Sequence, residues 1–252
     1  MLSSKKSNPN IIEVKHLNMT FGDKEVIKDL SFTVKRGEVF GFLGSNGSGK
    51  TTTLRALFNI YQPTKGELLI DGQPFSEKLG GKIGYLPEER GLYKKESVLD
   101  VMVYFGELKG MTRLEAKDFA TNYLKKVGLE GYIKSRISKL SGGQQQKVQL
   151  GVTIMNSPSL LILDEPTKGF DPVNRQLLMD IIMDKKKAGA TIVMVSHQME
   201  EVEALCDRIL LLKNGVAKEY GYVSDIKNKY GGKNLQDIFV EIYGSSHLSG
   251  VE

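Results

Sequence analysis

The sequence predicts an α/β fold: parallel strands alternating with helices around one core, interrupted by a helical insertion. Three observations carry this expectation. Val39-Phe40-Gly41-Phe42-Leu43 and Leu160-Leu161-Ile162-Leu163 are short apolar runs without alternation, as strands covered on both faces are. Strand and helix patterns alternate on both flanks of the chain. Between about Ser97 and Asn156 the character is helical throughout.

The elements follow in order. Ile12-Glu13-Val14-Lys15-His16-Leu17 alternates apolar and polar residues, and Ser31-Phe32-Thr33-Val34 repeats the pattern before an Arg36-Gly37 turn. Each reads as a half-buried strand. The apolar strand at Val39–Leu43 leads into a glycine-rich loop and a helix from about Lys50 to Tyr61. Gly66 to Gly72 is a short strand between turn residues, and Lys82 to Leu86 is another. In the helical stretch, Thr112-Arg113-Leu114-Glu115 is a capping box, in which each polar side chain satisfies a backbone donor at the helix start. After the Leu160–Leu163 strand, Asp171 caps a helix that Pro172 begins and Gly189 ends. Thr191–Val195 and Arg208–Leu212 are two further strands. A tail follows Gly215: Val216 to Gly221, a short helix near Ser224 to Tyr230, and Leu235 to Val240.

Composition bounds the function. The 252 residues carry 35 basic and 30 acidic side chains, a net charge of 35 − 30 = +5, with 26% charged and 40% apolar residues. That is the balance of a soluble globular protein, not a disordered one. No apolar run approaches the ~18–20 residues a bilayer span needs. Residues 1–10 carry lysines with no hydrophobic stretch behind them, so they read as a flexible polar lead and not as a secretory signal. One cysteine, Cys206, excludes an intramolecular disulfide framework and a multi-thiolate metal site. It reads as a buried small hydrophobe on a helix, in a reducing cytosolic setting. Lys185-Lys186-Lys187 closes a helix, where cations favour the negative end of the dipole. No basic stripe with interleaved aromatics appears, so no nucleic-acid partner is expected. His16 and His247 have no motif around them and read as surface or packing residues.

Three motifs carry chemistry. Gly44-Ser45-Asn46-Gly47-Ser48-Gly49-Lys50-Thr51 matches the phosphate-binding loop, and it leaves a buried strand to enter a helix, the context that makes the pattern credible. Its glycines let backbone N–H groups wrap phosphate oxygens, the helix start adds partial positive charge, Lys50 reaches the β- and γ-phosphates, and the Thr51 hydroxyl, with Thr52 beside it, faces the nucleotide and its magnesium. Asp164 and Glu165 end the Leu160–Leu163 strand, where open α/β sheets place ligands. Asp164 suits magnesium and Glu165 the attacking water. Third, Leu140-Ser141-Gly142-Gly143-Gln144 sets free N–H groups and a small hydroxyl at a helix start, a second anion site that nothing local requires.

Read together in this order, the motifs resemble the ATP-binding subunit of ABC transporters over nearly the whole chain, roughly Ile11 to Gly215. The resemblance implies a P-loop NTPase core with a parallel sheet, an antiparallel β edge subdomain and an inserted α-helical subdomain. It divides the chain into core segments 11–90 and 158–215, a helical signature insertion at 91–157 and a small tail at 216–252. It implies that Ser141, Gly142, Gly143 and Gln144 of one subunit contact the γ-phosphate held by the loop of another. Phe21 stands where the family stacks an aromatic ring on adenine. His197 looks like the switch histidine that senses γ-phosphate. Thr167-Lys168-Gly169-Phe170-Asp171-Pro172 resembles the loop that crosses between subunits, with Phe170 for the commoner Leu and Lys168 for a commoner small residue. In Pro87-Glu88-Glu89-Arg90-Gly91-Leu92-Tyr93, Glu88 replaces a Gln that approaches magnesium and the nucleophilic water. A Glu still ligates a hard cation but loses the amide donor. This form resembles export-type subunits of the sodium- and antibiotic-efflux group.

The implied function is an ATPase that pairs with a second copy of itself or a homologous ATPase subunit around two ATP and drives export through a separate membrane-spanning permease from the cytoplasmic face of the membrane. ATP and Mg²⁺ are the implied cofactors; Lys50, Glu165 and His197 are the implied catalytic residues; Thr51, Glu88 and Asp164 are the implied metal ligands. The alternative is a soluble ABC ATPase acting as an assembly factor or on a ribosomal or nucleic-acid partner. Ribosome-acting relatives usually carry two cassettes and DNA-repair relatives a long coiled coil; this chain has neither.

Overall fold

A computed structural model describes residues 8–89 and 91–244. In chain order the elements are β1 (Asn10–Phe21), β2 (Lys24–Lys35), β3 (Val39–Leu43), α1 (Lys50–Leu57), β4 (Lys65–Ile70), β5 (Ile83–Leu86), α2 (Val98–Leu108), α3 (Arg113–Lys126), α4 (Gly142–Ile154), β6 (Leu160–Asp164), α5 (Pro172–Lys187), β7 (Thr191–Val195), α6 (Met199–Leu205), β8 (Arg208–Lys213), β9 (Val216–Tyr222), α7 (Val223–Lys229) and α8 (Leu235–Gly244). They form two compact units: one from the chain up to Ser76 and from Val193 on, the other from Glu77 to Ile192.

In the first unit, β1 pairs antiparallel with β2 on one side and β4 on the other. The antiparallel strands are longer than alternation alone suggests. His16 and Asp29 break it by adopting left-handed backbone (φ 51° and 49°), which absorbs register shifts without unpairing the strands. β3 pairs in parallel with β8, which pairs antiparallel with β9. Every residue of β3 is buried, as its unbroken apolar sequence requires. Phe32 of β2 stacks on Phe40 of β3 with ring centres 5.8 Å apart. Glu38, just before β3, meets Arg208 at 3.1 Å with both side chains buried, and the guanidinium lies 4.8 Å from the Tyr220 ring centre.

Three expectations are corrected here. The polar lead ends earlier than residue 10: the Asn8 side chain donates to Glu13 at 2.6 Å, the Arg36 amide donates to the Pro9 carbonyl at 2.9 Å, and β1 begins at Asn10. Residues 1–7 lie outside the described residues, as do Arg90 and His247. The helix from Lys50 stops at Leu57, not near Tyr61, because Asn59 takes a left-handed conformation (φ 58°) that ends the helix as glycine commonly does. Cys206 is buried, but it caps the end of α6 instead of lying within it.

In the second unit, β5 and β6 pair in parallel with Ile83 opposite Leu160. Three helices pack beside them. Ser97 caps α2 by accepting from the Asp100 amide at 3.1 Å. Thr112 and Glu115 form the expected capping box on α3. α4 meets α2 and α3 through Gly151, where an added Cβ would lie 2.4 Å from the Tyr123 ring and 2.9 Å from Met102, so only glycine allows this approach. The far end of α4 is held by Lys109, whose ammonium donates to the Val152 and Thr153 carbonyls at 2.8 and 2.6 Å. Burial pulls this ammonium down to about 8. Asp171 caps α5 by accepting from the Val173 and Asn174 amides, both at 3.0 Å; these bonds, the one from Asn174 foremost, hold its carboxyl below the usual range.

Candidate nucleotide-binding site

The phosphate loop lies in the first unit, slung between the end of β3 and the start of α1. Gly44 permits its close seat: a Cβ there would meet the Ser48 hydroxyl at 2.4 Å and the Leu212 carbonyl at 2.5 Å. Gly49 takes φ 111° and stands against Ile27, which a Cβ would strike at 2.3 Å. The Ser48 amide donates to the Ser45 carbonyl at 3.1 Å, folding the loop onto itself. Lys50 curls back over it and donates to the Gly44 and Ser45 carbonyls at 2.7 and 3.1 Å. Asn46, Gly47 and Thr51 are exposed and Thr52 is half-buried. Residues 44–52 contain no acid, and the Ser48 hydroxyl is buried with no hydrogen-bond partner among the described residues. A cradle of small residues, one mobile ammonium and open hydroxyls suits a polyanion.

Phe21 ends β1 in the same unit, 45% exposed. It meets Tyr61 edge to face with ring centres 5.3 Å apart, and Tyr61 in turn accepts from Arg55 at 2.8 Å. His197 is exposed just past β7, beside the fully buried Ser196, whose hydroxyl accepts from the Gln198 amide at 3.1 Å.

The acids lie in the second unit. Asp164 closes β6 and is buried; Glu165 follows, also buried, with φ 50°. A left-handed backbone on a buried non-glycine residue costs roughly 1–2 kcal/mol and recurs where a side chain must be aimed. The turn is tied by the Lys168 amide donating to the Glu165 carbonyl at 3.2 Å. Glu88, Lys94, Gln145, Glu165 and Lys168 line one open cleft. Within it Lys168 donates to Glu88 at 2.7 Å. Two of the three departures from the family pattern, Lys168 and Glu88, are therefore partners, 80 residues apart in sequence. Glu88 holds the Lys168 ammonium above its usual value, with the charges of Glu165 and Asp164 adding to the effect.

Ser141 caps α4 in a full capping box: its hydroxyl accepts from the Gln144 amide at 3.3 Å, and the Gln144 side chain accepts from the Ser141 amide at 2.8 Å. This box engages both polar side chains of the signature; the amides of Gly142 and Gly143 lie outside it. Phe170 is buried, and a Cβ on Gly143 would sit 3.4 Å from its ring, so this substitution for Leu fills space beside the helix start.

The structure thus gathers residues 44–52 in one unit, and Glu88, Glu165 and the start of α4 around a cleft in the other. Sequence reasoning missed Tyr61, Lys94, Gln145 and the Lys168–Glu88 bond. Both members of that bond stood out as departures, but no local spacing links them. It also missed the backbone of Glu165, for which the sequence carries no signal.

Known proteins share the sequence and the fold. The ABC transporter family model matches residues 27–168, more than half of the chain. An uncharacterised ABC transporter ATP-binding protein of Methanocaldococcus jannaschii is 48% identical over 218 residues, covering 86% of this chain and 80% of the relative. The Nod factor export ATP-binding protein I of Bradyrhizobium diazoefficiens is 34% identical, covering 92% and 76%. A solved ATP-binding subunit of an ABC transporter superposes with a TM-score of 0.87 at 29% identity, covering 92% of this chain and 99% of that one. The chain belongs to the ABC transporter family, as an ATP-binding subunit that hydrolyses ATP to power transport.

Proposed function

We propose that this subunit drives an exporter, pairing with a second copy beneath a separate membrane-spanning permease and lying peripherally on the cytoplasmic face of the membrane. The observation that carries the reading is the phosphate loop: a buried strand, an acid-free glycine cradle and Lys50 folded across it. The export direction is supported by the Pro87–Tyr93 segment and by a relative named for export. Among the described residues no helix is long and apolar enough to cross a membrane, which fits a pathway supplied by another polypeptide.

In this reading the amides of the Gly44–Thr51 loop other than those of Ser45 and Ser48, which bond within the protein, join the Lys50 ammonium in holding the ATP phosphates, and Phe21 offers a ring face to the base. Thr51, Glu88 and Asp164 are the residues whose oxygens would hold magnesium, as the family resemblance implies. Among the described residues no cluster of three or more His, Cys, Asp or Glu is arranged around a cation. Magnesium keeps waters and phosphate oxygens and takes only one or two carboxylates from protein, which the hydroxyl of Thr51 and the carboxylates of Asp164 and Glu88 can meet by donor type. When bound, it would neutralise charge on the phosphates. Glu165 is the base for the attacking water, and His197 is the switch residue that senses the γ-phosphate. Ser141 to Gln144 of one copy contact the nucleotide of the other, so the pair closes on ATP and opens after hydrolysis.

Co-expression with a candidate permease tests the proposal. ATPase activity should rise on complex formation, and inside-out vesicles should accumulate substrate only with ATP. A chain that never enters the membrane fraction, or vesicles that lose substrate on ATP addition, would refute it.

A further inference from the structure

Helix α8 lies beyond residues 27–168, and no role assigned above uses it. Its Tyr243 nevertheless reaches the phosphate loop. The phenol oxygen accepts from the Ser45 amide at 3.0 Å and donates to the Leu212 carbonyl at the end of β8. That carbonyl is the one a Cβ on Gly44 would meet at 2.5 Å. One hydroxyl, 198 residues from Ser45 in sequence, therefore joins the root of the loop to the strand it leans on. The ring is held in turn. Phe239 stacks on it with centres 4.3 Å apart, and Lys213 sits 5.3 Å from its centre while donating to the Ile242 carbonyl at 2.7 Å. A second tie, from the Gly215 amide to the Ser48 carbonyl at 3.0 Å, fixes the far side of the same loop.

A glycine-rich loop has many backbone conformations to lose when it closes on a ligand. Ties that order it beforehand spare that loss at binding. We propose that Tyr243 is a positioning residue of the nucleotide site: by holding the Ser45 amide against Leu212 it keeps the phosphate loop in its receiving shape, which makes the C-terminal helix part of the ATP site. The proposal rests on the reading that residues 44–51 hold the phosphates.

The experiment compares full-length wild type with Tyr243→Phe, which keeps the ring and its stack and deletes only the hydroxyl. Mg-ATP affinity is measured by calorimetry, KM and kcat by phosphate release, and exchange of the Ser45 amide by NMR. Loss of one such hydrogen bond predicts an affinity about fivefold weaker. KM should rise in parallel, kcat should stay within about twofold, and Ser45 should exchange faster. Wild-type affinity in Tyr243→Phe overturns the proposal. Phe239→Leu, which loosens α8 but keeps the hydroxyl, should bind ATP more tightly than Tyr243→Phe; equal losses would assign the effect to the helix as a whole and also overturn it. Lys50→Ala separates the two readings. If it binds ATP normally, the loop reading fails. If it weakens binding while Tyr243→Phe does not, only the role of Tyr243 fails.

Discussion

Replacing Glu88 by Gln restores the residue most of the family carries, and the structure fixes how much this should matter. Glu88 is bonded to Lys168 at 2.7 Å, but the two side chains are 48% and 58% exposed. An ion pair so open to water adds little to stability. Glu88→Gln should therefore leave the unfolding midpoint at neutral pH close to wild type. Gln keeps a carbonyl oxygen that can accept hydrogen bonds, so ATP turnover should stay within about fivefold of wild type. The pH dependence has a definite sign. Lys168 has its folded value raised, chiefly by the bond to Glu88, so the pair stabilises fully below the ordinary lysine value and the gain is lost as pH climbs through the raised one. Glu88→Gln should remove that alkaline slope. Denaturant unfolding at neutral and alkaline pH, with steady-state phosphate release, measures all of this. Stimulation by the permease should change more than basal turnover, because the family resemblance implies that the segment from Glu88 to Tyr93 reports to the membrane partner. A loss of basal turnover beyond about a hundredfold would refute the reasoning, since it would make the carboxylate itself obligatory. A large fall in the unfolding midpoint at neutral pH would refute the weakness assigned to the pair.

Lys50→Ala should weaken ATP binding by about thirtyfold. Its ammonium gives up bonds to the Gly44 and Ser45 carbonyls when it turns to phosphate, so the net loss is about 2 kcal/mol and not the full worth of a charged contact; calorimetric affinity within twofold of wild type would contradict this. Lys109 offers a second pH test. Its folded value of about 8 lies below the ordinary lysine value of 10.5, so between the two the unfolded chain holds the extra proton and stability rises with pH, by up to about 3 kcal/mol. Lys109→Met should lack this rise, and identical pH profiles of the urea midpoint in the two proteins would show that burial does not depress the ammonium.

Much of the fold was legible because its cues are local. The all-apolar runs at β3 and β6, Asp171-Pro172 at the start of α5, and Thr112 with Glu115 at the start of α3 each state their structure within a few residues. The phosphate loop was legible for the same reason. Errors arose where an ordinary residue takes an uncommon backbone. Asn59 ends α1 while Ile60 and Tyr61 prolong the apolar pattern, and His16 and Asp29 bend strands whose alternation then breaks. Long-range ties were invisible. Nothing near Glu88 announces Lys168, and nothing near Ser45 announces Tyr243, because each pairing depends on which loops the fold brings together.

Glu165→Gln tests the central claim most directly. The amide keeps the shape of the side chain at its left-handed position after β6 and removes the base. The variant should bind Mg-ATP as tightly as wild type, release no phosphate and accumulate an ATP-dependent dimer, read together by calorimetry and by light scattering on the eluting species. Phosphate release at the wild-type rate, from a species that stays monomeric with ATP bound, would contradict the account.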